Sequence, residues 1–480
     1  MTNIFSVDKF KKNYLYVGGL VLIAIWIIAL NIEFAFFQPV DFSQKGIFVY
    51  FVMSLIPLVL IGVFGIRSMK NKTFLTKFCY IGLLVFIFIF IIFHASYETG
   101  DYFTFLNPWT QDYRSVGLKD AIYHITDISN YTPAYNYFLI VIAKLNFNQL
   151  FAIKYVTFAF SFLLAFAIEK IIGHFLNEKF DFFRFVLVLV LPPIMLEYTA
   201  WGQCDAIYTS LAMLSFLFAL KKKSKLSFMF IGLSFAFKLQ FLFIVPVLFV
   251  MLIIKDKDGK HYLKWKDIWI APLMYIINFA PVLVGRPVID ILSVYFGQAS
   301  SDKRISGNCA NICAIYYLAG IKEYSPEYMP LILAQTALTI FVLILLFAIV
   351  FVYHKKIGVE QKDLVFFGML FAFVMVFFMP KMLDRFYYIA MLFAFVNAVI
   401  DKKISNKISL VLICNSLFFM MSLHFSYFMT IATEITSYFM GFFSAYINLI
   451  VLVAMLTKRY IMPLKKKISE TKTKEKEIQV

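Results

Sequence analysis

The chain has 480 residues, of which 62% are hydrophobic, 19% aromatic and only 15% charged. A soluble globular chain is about 45–50% apolar and about 25% charged, so a soluble fold is excluded. The net charge of +17 would suit a nucleic-acid partner, but the lysines sit in short clusters between apolar blocks, the pattern that encodes membrane topology.

The apolar excess forms blocks that can cross a bilayer, which takes about 20 residues each. In chain order they are Tyr14–Phe34, Ile47–Ile66, Phe78–Ala95, Phe151–Ile172, Phe185–Tyr198, Asp205–Leu220 and Phe228–Ile254. Ile268–Val284, Met329–Tyr353, Leu364–Met379, Leu383–Ile400, Ile408–Met429 and Tyr438–Leu456 follow. The first block is too long for a signal-peptide core and no small-residue cleavage site follows it, so it reads as a retained helix. The stretch Pro133–Leu145 is apolar but short. The segment from Lys458 to Val480, rich in Lys, Glu and Thr, reads as a basic, largely disordered tail.

Positive charge assigns the sides. Basic clusters stand at Lys9/Lys11/Lys12, Arg67/Lys70/Lys72, Lys179/Arg184, Lys221/Lys222/Lys223/Lys225, Lys255/Lys257/Lys260/Lys264/Lys266, Lys355/Lys356 and Lys402/Lys403/Lys407. The positive-inside rule puts all of them in the cytoplasm. Both flanks of Phe228–Ile254 are basic, so that block must go out and return, with a turn near Lys238 and Gln240. Pro133–Leu145 cannot then be a full crossing and becomes a short helix within a long outer loop. The predicted fold is an all-α polytopic membrane protein with about fourteen crossings and both termini cytoplasmic. It divides into an N-terminal hairpin region (1–76), a central module (77–400), C-terminal helices (401–457) and the tail (458–480).

This parity leaves the polar segments on the outer side. Glu98 and Asp101 sit where the third block ends; a carboxylate beside an apolar wall can serve as a general base, and a solvated loop acid is the alternative. Tyr131-Thr-Pro-Ala-Tyr135 opens the short helix, with proline suited to its first turn. Trp201-Gly-Gln-Cys-Asp205 places Gln203 and Asp205 at a helix mouth, where Asp205 also fits a plain N-cap. Lys238 and Gln240 interrupt a long apolar run, and ionisable residues in such runs are expensive and usually functional. Lys381, Asp384 and Arg385 open a later crossing. Cations there oppose the helix dipole unless an anion is bound; a structural ion pair of Asp384 with Arg385 is the alternative. Lys303 and Arg304 lie in the long loop before the block at Met329. The five cysteines form no zinc spacing, and Cys309 and Cys313, four apart in a predicted loop, could form a disulfide. No metal-ligand set stands out.

In this order, the segments around Gly100-Asp101, Asn130-Tyr131-Thr132-Pro133, Trp201-Gly202-Gln203-Cys204-Asp205, Phe237-Lys238-Leu239-Gln240 and Asp384-Arg385-Phe386 resemble the GT-C superfamily of membrane glycosyltransferases. The likeness is greatest to bacterial proteins related to GPI mannosyltransferases and covers about residues 77 to 400. Two departures stand out. Related proteins often read His-Glu-Arg-Tyr where this chain reads Leu383-Asp384-Arg385-Phe386, and the hairpin Tyr14–Ile66 is extra. The resemblance implies a hexosyltransferase that uses a polyprenyl-phosphate sugar outside the cytoplasm, with Asp101 as the catalytic acid–base residue. On that reading Lys238, Lys381, Arg385 and Arg304 are candidates to meet the leaving phosphate. Glu98, Asp205 and Asp384 shape subsites, and Tyr131, Trp201, Gln203 and Gln240 hold sugar or lipid. No cofactor is implied beyond the lipid-linked donor, a divalent metal stays open, and the partners are a glycan acceptor and the bilayer, not nucleic acid. A transporter or flippase of lipid-linked glycans, or a polymerase, is the alternative.

Overall fold

The computed structural model describes residues 40–145, 147–301, 304–318, 321, 326–422 and 431–479. The predicted first crossing Tyr14–Phe34, the cluster Lys9/Lys11/Lys12 and Lys303 lie outside the described residues.

The described chain is almost wholly helical. Helix α1 (Ile47–Ser68) and α2 (Phe74–Phe93) form a hairpin, with Thr73 capping α2 by accepting from the Thr76 amide. A short helix α3 (Asn107–Ser115) and α4 (Pro133–Lys144) follow in the first long loop. As expected, Pro133 occupies the first turn of α4, where its missing N–H is not needed. Helix α5 (Gln149–Leu176) starts at Asn148, whose side chain accepts from the Phe151 amide. The predicted single crossing Phe185–Tyr198 is instead broken. Helix α6 (Phe182–Leu189) and α7 (Pro192–Leu196), which runs into a π-helical turn at Glu197–Trp201, meet at 66°. Pro192 and Pro193 remove two backbone donors at the bend.

The core is built on α8 (Asp205–Leu220), α9 (Ser224–Phe237) and α10 (Val245–Ile253). The backbone of Lys238 is extended (φ −158°, ψ 138°) and ends α9. Lys238 pairs with Asp205 at the start of α8, whereas Lys222, after the end of α8, pairs with Asp256, after the end of α10. The stretch 224–253 therefore reverses at Lys238 and returns to the end from which it started. Beyond it come α11 (Ile270–Phe279), α12 (Val288–Ser301), α13 (Met329–Lys356), α14 (Gln361–Phe378), α15 (Tyr388–Ile400), α16 (Ile404–Ser422), α17 (Ile431–Leu456) and α18 (Met462–Gln479).

Among the described residues, seven helices are long and apolar enough to cross a membrane, or eight if the bent α6–α7 pair is one span. Helices α8 and α9 and the segment Leu239–Ile253 are shorter and apolar. The outermost span, α13, buries only 17% of its apolar window, whereas α14 buries 78%. A helix apolar all round and left uncovered belongs in lipid. Residues 458–479, expected to be disordered, are helical. They continue α17 through a π turn at Thr457–Ile461, and extending an existing helix avoids the nucleation cost that an isolated polar segment faces.

Among the described residues, members of the later predicted cytoplasmic clusters gather at one end of the molecule. Lys257 and Lys362 meet Glu360, and Arg459 meets both Asp363 and Asp401, the latter also paired with Lys403. Lys255, His354, Lys403 and Arg459 share one half-open cavity of about 510 Å3 there. Asp101, Asp205, Lys238 and Arg385 meet at the opposite ends of their helices.

Candidate active site

Asp101 opens a helical stretch that passes through a π turn at Tyr102–Leu106 into α3. A carboxylate in the first turn of a helix is favoured by the amide dipoles. Its Oδ2 accepts from Trp201 Nε1 at 2.9 Å and from Gln203 Nε2 at 2.7 Å. The Trp201 side chain leaves a second π turn, and Gly202 follows with φ +71°, a left-handed conformation that turns Gln203 back toward Asp101. π turns interrupt helices and often mark functional sites; two of them converge on this carboxylate.

Arg385 is the hub. Its guanidinium lies 3.7 Å from Asp101 Oδ2, 3.4 Å from Asp205 Oδ2 and 3.8 Å from Asp384 Oδ1, and it stacks over the Trp201 ring at 5.0 Å. Asp205 does not cap α8: Cys204 holds that position and no side-chain cap bond forms. Instead its Oδ1 accepts from Lys238 Nζ at 2.7 Å, with both side chains essentially out of solvent. The backbone amide of Asp205 donates to Glu197 Oε1 at 3.1 Å. Asp384 accepts from the Arg385 amide at 2.7 Å, so its structural pairing with Arg385 and its place beside the cluster hold together.

Tyr131 donates from its hydroxyl to Gln203 Oε1 at 3.4 Å and stacks edge-on with Trp109 and obliquely with Tyr135. These rings wall the Asp101 side. Lys381 and Arg304 flank a clasp in which β1 (Ser306–Gly307) pairs in parallel with β2 (Met382–Leu383). The Lys381 amide donates to Ile305 O at 2.8 Å, and Lys381 takes a left-handed φ of +58°. Arg304 lies beside Gly307 on the same clasp.

Glu98 and Gln240 do not join the Asp101–Arg385 contacts. Glu98 is half-buried, and burial pushes its carboxyl up while the Lys154 charge opposes that. Gln240 lies in the turn after Lys238 with its Oε1 buried and unpartnered. Two buried residues escaped the sequence reading. Glu197 sits in the bend that interrupts the predicted crossing Phe185–Tyr198, and Lys154 sits four residues into an apolar block. An acid and a lysine inside apolar blocks were the available signals. All five cysteines, Cys309 and Cys313 included, are free thiols. Among the described residues no group of three or more His, Cys, Asp or Glu could hold a metal ion.

Fold and site together define a multi-pass, helical membrane protein with a buried cluster of acids and bases at one end of its bundle. The family model of glycosyltransferase family 87 matches residues 130–380, just over half of the chain, and the chain belongs to this GT-C-type family of membrane glycosyltransferases. No curated protein and no solved structure matches it. Trp201, Gln203, Asp205 and Lys238 fall within the matched residues; Asp101 and Arg385 lie outside them and join through the contacts above.

Proposed function

We propose that the protein transfers a hexose from a polyprenyl-phosphate carrier to a hydroxyl of a cell-surface glycan, outside the cytoplasm and with inversion. The observation behind this reading is Asp101, a partly exposed carboxylate oriented by two donors and backed by Arg385. In the proposed step Asp101 takes the proton of the acceptor hydroxyl. The acceptor oxygen bonds the anomeric carbon from the face opposite the phosphate, and the bond from that carbon to the phosphate oxygen breaks. The polyprenyl phosphate leaves with the electron pair, and the step balances without a metal.

The donor class comes from the likeness to proteins related to GPI mannosyltransferases, and family membership favours transfer over transport. Among the described residues, the carboxylates of Asp101, Asp205 and Asp384 line this centre around Lys238 and Arg385. Such a centre orients its carboxylates and repels a phosphate. The leaving group therefore belongs at the rim, against Lys381 and Arg304 on the clasp, where preorganised cations offset the developing charge. Exposed Phe103, Phe105, Leu145 and Phe147 suit a first loop lying at the bilayer surface, where the isoprenoid arrives. The basic end is cytoplasmic by the positive-inside rule, as are both termini, with about fourteen crossings in all.

The test uses membranes or proteoliposomes supplied with a polyprenyl-phosphate hexose. Asp101→Asn should lower turnover by about 10²–10⁴-fold, the usual contribution of a positioned base. Undiminished turnover would remove Asp101 from that role. Loss of one surface glycan in cells lacking the protein would identify the acceptor.

A further inference from the structure

The loop that presents Asp101 and the turn that presents Trp201 and Gln203 are both fastened to one turn of α5. Lys154, on that turn, is fully buried. Its Nζ donates to three backbone carbonyls, His94 O at 2.6 Å, Ala95 O at 3.1 Å and Tyr97 O at 2.7 Å. These carbonyls lie just past the end of α2, in the segment that leads to Asp101. An ammonium has three donors and no acceptor; a neutral amine would turn a lone pair toward one of these oxygens. Three carbonyls around one nitrogen therefore match the cation.

The same turn holds the other side of the site. Thr157 Oγ1 donates to Gln203 O at 3.0 Å. A Cβ on Gly202 would meet Ile153 Cγ2 at 3.2 Å and Lys154 Cγ at 3.4 Å, so the turn and the lysine stem are packed together. Burying an ammonium is costly, and an apolar side chain of similar size often serves stability as well or better. Stability alone does not account for a lysine here; placement of the loop four residues before Asp101 does.

We propose that Lys154 is a positioning residue, which locks residues 94–97 so that Asp101 meets Trp201, Gln203 and the acceptor in one geometry. Only its kinetic consequence rests on the assignment of Asp101 as base. The test has two arms, both on the full chain in nanodiscs. In the first, amide hydrogen exchange is compared for the parent, Lys154→Met and Lys154→Arg. Lys154→Met should speed exchange at residues 94–106 by about ten-fold or more, with α14 and α15 unchanged, since local opening reports local loss of contacts. Lys154→Arg, whose planar fork suits three clustered carbonyls less well than an ammonium, should lie between. Unchanged exchange at 94–106 overturns the proposal whatever the reaction is.

In the second arm, with a polyprenyl-phosphate mannose as probe, Lys154→Met should lower kcat about 100-fold with KM within about two-fold, since misplacing a reacting group by about 1 Å costs that much. In an Asp101→Asn background it should lower kcat no further, as expected for residues acting as one unit. Losses that multiply instead would show a role independent of Asp101 and overturn the proposal. A parent protein inert toward the probe would count against the donor assignment, leaving the exchange arm to decide. If Lys154→Met does not fold, Lys154→Arg and Thr157→Ala are read by the same two measures.

Discussion

At the Asp101 end, Lys238 and Arg385 are buried among carboxylates, the Lys238–Asp205 pair with 4% and 0% of its side chains exposed. At the basic end, Lys257 and Glu360 pair with 79% and 43% exposed. Both ends are dense in ion pairs; at the basic end they run from the exposed Lys257–Glu360 to the part-buried Arg459–Asp363, with 17% and 7% exposed. Exposed pairs contribute about 0–1 kcal/mol and are screened by salt. Buried pairs often stabilise less than apolar residues would, yet breaking one strands a charge. The contrast is therefore sharpest between the fully buried Lys238–Asp205 pair and the exposed Lys257–Glu360 pair.

The comparison can be broken by variants whose expected effects run from large to small. Lys238→Met should destabilise the protein by about 3–5 kcal/mol by leaving Asp205 buried without its main partner. Lys238→Met with Asp205→Leu should recover part of that loss. Thermal unfolding followed by tryptophan fluorescence reads both; a single variant within about 1 kcal/mol of the parent would erase the contrast. Gly307→Ala should cost about 1–3 kcal/mol by overpacking, because its methyl would run into Leu383 Cδ2 across the clasp. Turnover should fall with it as the clasp shifts Arg385, and Leu383→Ala should relieve both; a silent Gly307→Ala would detach the clasp from the site.

Glu360→Gln should change stability by less than about 1 kcal/mol, and less still in high salt. Hydrogen bonds from Lys362 and then Lys257 hold the Glu360 carboxyl below its usual 4.5. A carboxyl lowered on folding stabilises above its unfolded value, and that contribution is lost as pH falls through the lowered one. The difference between parent and Glu360→Gln should therefore shrink on acidification in a pH series of unfolding midpoints. A difference that grows instead would contradict the pairing.

Much of this arrangement was legible in the residues. Apolar blocks and lysine clusters were enough to separate the two ends, to place a turn near Lys238 and to reduce Pro133–Leu145 to a loop helix, observed as Pro133–Lys144. Trp201, Gln203, Asp205 and Arg385 were picked out because polar groups at apolar boundaries are costly unless used. Three features were not readable. The bend at Pro192–Pro193 lies inside a run whose hydropathy is continuous, so the buried Glu197 passed as part of a crossing. Lys154 passed as the polar start of a span, because its carbonyl partners are about sixty residues away in sequence. Residues 458–479 are polar enough to read as disordered, and their helix comes from continuity with α17.

Helix α8 has 16 residues, which span about 24 Å, while the hydrocarbon layer is about 30 Å thick. With Lys221–Lys223 anchored at one surface, Asp205 and the groups around it sit several ångströms below the other. On the proposed reading, the length of this buried helix sets how deep the carboxylate centre lies below the surface from which an acceptor arrives. Membrane thickness then acts on the protein as a control: thicker lipid mixtures should sink the centre away from a water-borne acceptor, and thinner ones should bring it to the surface.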